Sequence, residues 1–75
     1  MSTRVDRVLR IVQEAKSTSM GEIESRSGLS RPAVAAVIKQ LKAENRVFMG
    51  GERRFARYAT TQAAADRASD EARGG

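Results

Sequence analysis

Seventy-five residues make one domain at most, and one with a thin core, since a chain this short buries only about 60% of its unfolded surface. There is no cysteine and no histidine, which removes disulfides, the main transition-metal ligands and the commonest general base, so neither an enzyme nor a cofactor or metal is expected. A formal charge of +5 favours polyanionic partners, and the absence of a long apolar run or an apolar N-terminal segment leaves a cytosolic protein with no membrane association as the expectation.

The first predicted helix runs from about Thr3 to Lys16. Val5, Val8, Leu9 and Val12 follow the i, i+3, i+4, i+7 spacing of one buried stripe, widened by Ile11 and Ala15. Thr3 fits an N-cap, and Asp6 sits at the positive end of the helix. Arg4, Arg7 and Arg10 line another face, for which a solvated surface is the plainer reading. Ser17, Thr18 and Ser19 form a polar break. Ser19 and Glu22 then match the S-x-x-E capping box, which opens a short second helix with Ile23 as its core residue and an end at Ser27. Gly28 supplies the positive φ that a sharp helix–helix turn needs. Leu29 plugs the gap between the helices.

Ser30 is a strong N-cap for a third helix, with Pro32 in its first turn, where the missing N–H costs nothing. Val34, Ile38 and Leu41 make its buried stripe, with Val37 at the edge, and Asn45 closes it in a left-handed conformation. The period then changes. Val47 to Met49 reads as a strand, Gly50-Gly51 as a hairpin turn and Phe55 to Thr60 as the returning strand. Period-two logic leaves two alternatives for which residues face outward, Ala56 and Tyr58 or Phe55 and Arg57; the size of the Tyr58 ring favours placing it inward. The last stretch, TQAAADRASDEARGG, is alanine-rich and polar. It reads as a helical or disordered tail over residues 61–75 with little core contribution, and Ala64, Ala68 and Ala72 form a weak stripe suited to a partner.

Two short helices joined by a tight turn, followed by a hairpin rich in arginine, make an α+β winged helix-turn-helix: three helices plus a C-terminal β-hairpin wing over residues 1–60. The charge belongs to this part. Residues 1–60 hold twelve Lys/Arg and six Asp/Glu, net +6, whereas residues 61–75 hold two and three, net −1.

The stretch GLSRPAVAAVIKQLKAENRVF resembles the recognition helix and wing entry of the ArsR and MarR types of bacterial regulator, through Gly28, Leu29, Ser30, Val34, Ile38, Asn45 and Val47. The basic hairpin tip and the Arg57-Tyr58 pair are similar to the wing of that superfamily. In size the chain is similar to small stand-alone winged-helix regulators of the PapI/FaeA type. The resemblance covers roughly residues 3–60 and also implies a very short strand in the slot around Met20, pairing with the wing. Glu24 departs from the pattern, standing where a small residue is usual. So do Ala35 and Ala36, where polar base-reading side chains are usual. With no length for extra dimerisation helices and no cysteine or histidine, sensing is not carried over.

The docking implied by the resemblance lays helix three in the major groove of double-stranded DNA. Arg31 is then placed for a bidentate guanine contact, Ser30 and the helix N-terminus for a phosphate, and Ala33, Ala35 and Ala36 for thymine methyls, with Pro32 on the same face and Lys39 meeting phosphate. Arg53, Arg54 and Arg57 on the wing are suited to a narrow minor groove or the backbone. A bland reading of the alanine face is helix propensity alone, and of the wing arginines protection of a sheet edge. Three arginines within five positions exceed what edge protection needs. A single helix with few polar side chains reads little sequence, so useful specificity requires a homodimer, cooperative assembly or DNA-shape readout.

The expected function is therefore a sequence-preferring DNA-binding protein, a transcriptional regulator or accessory factor of bacterial, phage or plasmid origin, cytoplasmic and nucleoid-associated. The competing reading is a winged-helix protein-interaction module within a larger assembly, with Phe48, Met49 or Phe55 as its contact patch. RNA binding is disfavoured because three aromatic residues are too few for a stacking platform.

Overall fold

The computed structural model describes residues 3–74; Met1, Ser2 and Gly75, which belong to the expected spans 1–60 and 61–75, lie outside the described residues. The order of elements is α1 (Arg4–Ala15), β1 (Ser17–Thr18), α2 (Met20–Ser27), α3 (Arg31–Ala43), β2 (Phe48–Gly50), a single 3-10 turn (Arg53–Phe55), β3 (Arg57–Ala59) and α4 (Gln62–Ala72). The three strands form one antiparallel sheet in the order β1-β3-β2.

Local chemistry sets the first three helices. Thr3 caps α1, its hydroxyl accepting from the Asp6 amide at 3.1 Å. Ser19 does the same for α2 through the Glu22 amide at 3.3 Å, and Ser30 for α3 through the Ala33 amide at 3.4 Å. Gly28 is left-handed at φ 74 and its N–H closes the α2 end onto the Glu24 carbonyl. Asn45, at φ 59, ends the α3 segment as expected of a residue that tolerates this region. The Arg7 guanidinium, on the face read as solvated, donates to the Ser27 carbonyl at 3.2 Å and so ties α1 to the end of α2.

The core is formed where the three apolar stripes meet. Val8, Val12, Ile23, Val34 and Leu41 are fully buried, with Leu9, Ile11, Val37, Ile38, Val47 and Tyr58 around them. Tyr58 therefore faces inward. Register explains the rest of the sheet. Met49 and Thr18 are the neighbours of Tyr58 across the ladder and share its face, whereas Phe48, Gly50, Arg57 and Ala59 share the other. Ala59 is nonetheless fully buried, because α4 covers that second face.

Three expectations need correction. Among the described residues there are four α-helices, not three. The segment read as a helical or disordered tail forms α4, capped by Thr61 through the Ala64 amide at 3.1 Å, with Ala65 fully buried and Ser69 2% exposed against the sheet. The Gln62 side chain adds a bond to the Met49 carbonyl at 2.9 Å. The stripe of Ala64, Ala68 and Ala72 lies half-buried along the edge of this contact.

Secondly, Gly50-Gly51 is not a two-residue hairpin turn. Gly50 still pairs with Arg57, and residues 51–56 connect the strands, so Phe55 belongs to the 3-10 turn and β3 is only Arg57–Ala59. The glycines serve a close approach. A Cβ on Gly50 would run into the Ala65 carbonyl and come within 2.6 Å of the Asp66 amide, and one on Gly51 would meet the Ser69 hydroxyl. Thirdly, the short strand that pairs with the wing is Ser17–Thr18. Met20 already belongs to α2, since Ser19 takes the N-cap position.

Candidate nucleic-acid interface

The start of α2, the first turns of α3 and the connection between β2 and β3 converge on an open cleft of about 820 Å³. Arg31 and Ala35 of α3 line one side. Arg53, Arg54 and Arg57 line the other, together with Glu52. Ser19, Met20 and Gly21 at the start of α2, with Met49, Ala56 and Tyr58, complete it. Five of the ten residues singled out from sequence therefore meet at one cleft. Pro32, Ala36 and Lys39 are exposed on α3 outside it, as is its N-cap Ser30, and Ala33 is half-buried.

The electrostatics of the cleft are lopsided. Among the described residues the ion pairs are Arg31–Glu24, at 3.1 Å, and Arg46–Glu44, at 3.8 Å. Among the described residues, then, Arg53, Arg54, Arg57 and Lys39 have no carboxylate partner and Glu52 is the sole acid lining the cleft. Such uncompensated charge attracts a polyanion over about a Debye length, roughly 8 Å at physiological salt.

The wing arginines are held in distinct ways. The Arg57 guanidinium donates to the Arg54 carbonyl at 3.0 Å and the Ala56 carbonyl at 2.9 Å, which fixes its position without neutralising it. Arg54 lies over the Phe55 ring at 4.9 Å, and Arg73, at the end of α4, approaches the same ring at 5.8 Å. Arg53 is left-handed at φ 54, a conformation that costs roughly 1–2 kcal/mol in a residue with a Cβ. The tip is thereby shaped by strain and by packing against α4.

Two residues bear on the surroundings of Arg31 in ways that sequence left open. Glu24, noted as a departure from the pattern, holds Arg31 across the helix–helix turn with a single Nε–Oε2 contact; the Arg31 side chain is 67% exposed. Tyr58 is pushed above the ordinary phenol range by burial, with the nearby Arg31 charge opposing, so its hydroxyl stays protonated at neutral pH. The apolar groups weighed as a protein-docking patch are all half-buried: Met49 packs on the core, Phe48 shares the sheet face that α4 covers, and Phe55 sits between two guanidinium groups.

No protein-family model matches the chain, and no curated protein matches it. Among solved structures it is similar to a MarR family transcriptional regulator from Silicibacter pomeroyi DSS-3, with a TM-score of 0.69 over 99% of this chain at 18% identity. The fold is a winged helix. This chain spans 56% of the length of that regulator, so the likeness concerns the shared winged-helix part. In that architecture α2 and α3 form the helix-turn-helix and the β2–β3 connection forms the wing. Among the described residues no helix is long and apolar enough to cross a membrane.

Proposed function

We propose that this winged helix is a sequence-preferring double-stranded DNA-binding protein, acting as a transcriptional regulator or an accessory DNA-binding factor in a bacterial, phage or plasmid setting. The observation that carries the reading is the cleft where the N-terminus of α3 and the wing face one another. Arg53, Arg54 and Arg57 stand there unneutralised, on a fold of the kind used by the S. pomeroyi regulator.

In this reading the exposed face of α3 enters the major groove. Arg31 reads a base edge, while Pro32, Ala33, Ala35 and Ala36 present a small apolar surface that lets the helix backbone approach and touch thymine methyls. Ser30 and Lys39 meet phosphates. Arg53, Arg54 and Arg57 track the adjacent minor groove and backbone. Arg31 leaves Glu24 to do so, which is feasible because an exposed pair of this kind contributes only about 0–1 kcal/mol. The short reading face makes paired binding, as a homodimer or cooperatively on adjacent half-sites, the route to useful specificity. The protein works in the cytoplasm at the nucleoid, without a cofactor and without catalysis.

Selection of bound fragments from random duplex DNA, followed by footprinting, tests this. An enriched motif with protection of half-sites about one helical turn apart supports it. Failure to enrich any sequence, with no duplex retained at low salt, refutes it.

A further inference from the structure

The cleft between α3 and the wing contains a polar group that nothing in the fold uses. Tyr58 is 6% exposed, its ring packed in the core, yet it lines the cleft. Its hydroxyl takes part in none of the hydrogen bonds among the described residues, and it is not sealed from the surface, as the Ser69 hydroxyl is. Close by, the Gly21 amide lies in the first turn of α2, where a backbone N–H has no intrahelical acceptor, and a Cβ on Gly21 would meet no protein atom within 4 Å. Arg57, fixed by two backbone carbonyls, adds a positioned charge. A hydroxyl open to the cleft and unpartnered among the described residues, beside a helix N-terminus open to close approach, suits an oxyanion, and Arg57 lines the same cleft from the other face of β3 as a nearby positive charge.

We propose that this cleft seats one phosphodiester of the DNA strand that runs between the two grooves, with the Tyr58 hydroxyl donating to a phosphate oxygen. The inference rests on the DNA-binding reading and adds a ligand to it. If α3 lies in the major groove and the wing in the neighbouring minor groove, the sugar-phosphate strand separating them passes between α3 and the wing, which is where Tyr58 opens. Burial keeps the phenol protonated, so it donates at neutral pH. Glu52 at the cleft opposes an anion, and the surrounding arginines outnumber it.

The test compares wild type with Tyr58→Phe and Arg57→Gln on a selected duplex and a random one, each over a range of salt. Because the hydroxyl has no partner among the described residues, Tyr58→Phe is expected to melt as wild type does. It should bind both duplexes about tenfold more weakly, as for loss of a donor to a charged acceptor, with an unchanged salt slope. Arg57→Gln should lower the slope by about 0.9. Single methylphosphonate substitutions should identify one position that weakens wild type more than Tyr58→Phe.

Wild-type binding with Tyr58→Phe unaffected, or affected on one sequence only, overturns the phosphate seat and leaves the DNA reading standing. A wild type that binds no duplex overturns both. Inorganic phosphate is the control for a free anion. If it shifts the Tyr58 ring resonances of wild type while Tyr58→Phe keeps full DNA affinity, the cleft is a free-anion site and the strand assignment is wrong.

Discussion

The same substitution at two glycines should have opposite signs. At Gly50 a methyl group would fall on the backbone of α4, at the Ala65 carbonyl and the Asp66 amide, and helical backbone cannot step aside as a flexible side chain can. Overpacking of this kind costs about 1–3 kcal/mol. Against it stands the roughly 0.5–1 kcal/mol that alanine gains over glycine inside a regular element. The net for Gly50→Ala is a loss of up to about 2.5 kcal/mol, or a melting point lower by up to roughly 20 °C for a domain of this size. Gly21 lies in α2, outside the left-handed region, with nothing near its would-be Cβ, so Gly21→Ala keeps the whole gain and should melt about 2–8 °C higher. Circular dichroism melts and urea titrations read both. The penalty at Gly50 comes from α4, so in a chain ending at Thr61 the Gly50→Ala substitution should lose it, leaving a coupling of about 1–3 kcal/mol. A Gly50→Ala protein as stable as the Gly21→Ala protein would refute the docking of α4 on the sheet.

Ser69→Ala removes a buried hydroxyl that has no partner and should raise stability by about 1 kcal/mol in urea titration. Glu24→Gln frees Arg31 while the melting point stays within about 0–1 kcal/mol equivalent of wild type, and duplex affinity should rise; an unchanged affinity would mean the pair does not restrain Arg31. Arg31→Ala should cost about 1–3 kcal/mol on a selected site and relax preference at one position, whereas Arg54→Ala weakens selected and random duplexes alike. Glu52→Gln, which removes the acid lining the cleft, should tighten binding to every sequence in the same titration.

The helices were legible because their signals are local. Thr3, Ser19 and Ser30 each cap the helix that follows within three residues, Gly28 takes the positive φ it was expected to take, and the stripes of α1 and α3 follow the helical period. Tyr58 was legible by size. The wing connection was misread because a glycine pair has two physical meanings. Gly50-Gly51 makes a good tight turn, and it also makes room for a backbone packed close above it, and only the second depends on a segment fifteen residues away. That segment was underrated for a related reason. Ala65 and Ser69 carry little apolar area, so no hydrophobic period announces them, yet small side chains are what a helix needs to lie on glycines. An i, i+4 pair of small residues matched with Gly-Gly was the available signal. In the cleft, the charges of Arg53, Arg54 and Arg57 were plain in the sequence. The pairing of Arg31 with Glu24 was not, because it spans the helix–helix turn and depends on the angle at which α2 and α3 meet.

Engagement of duplex DNA by the cationic cleft and α3 is read out by titrating a labelled duplex at several salt concentrations. Binding should depend on salt with a log–log slope of about −3 to −6 per monomer, reduced when Arg53, Arg54 and Arg57 are replaced by glutamine. A flat salt response, or a slope unchanged by those replacements, would contradict that engagement.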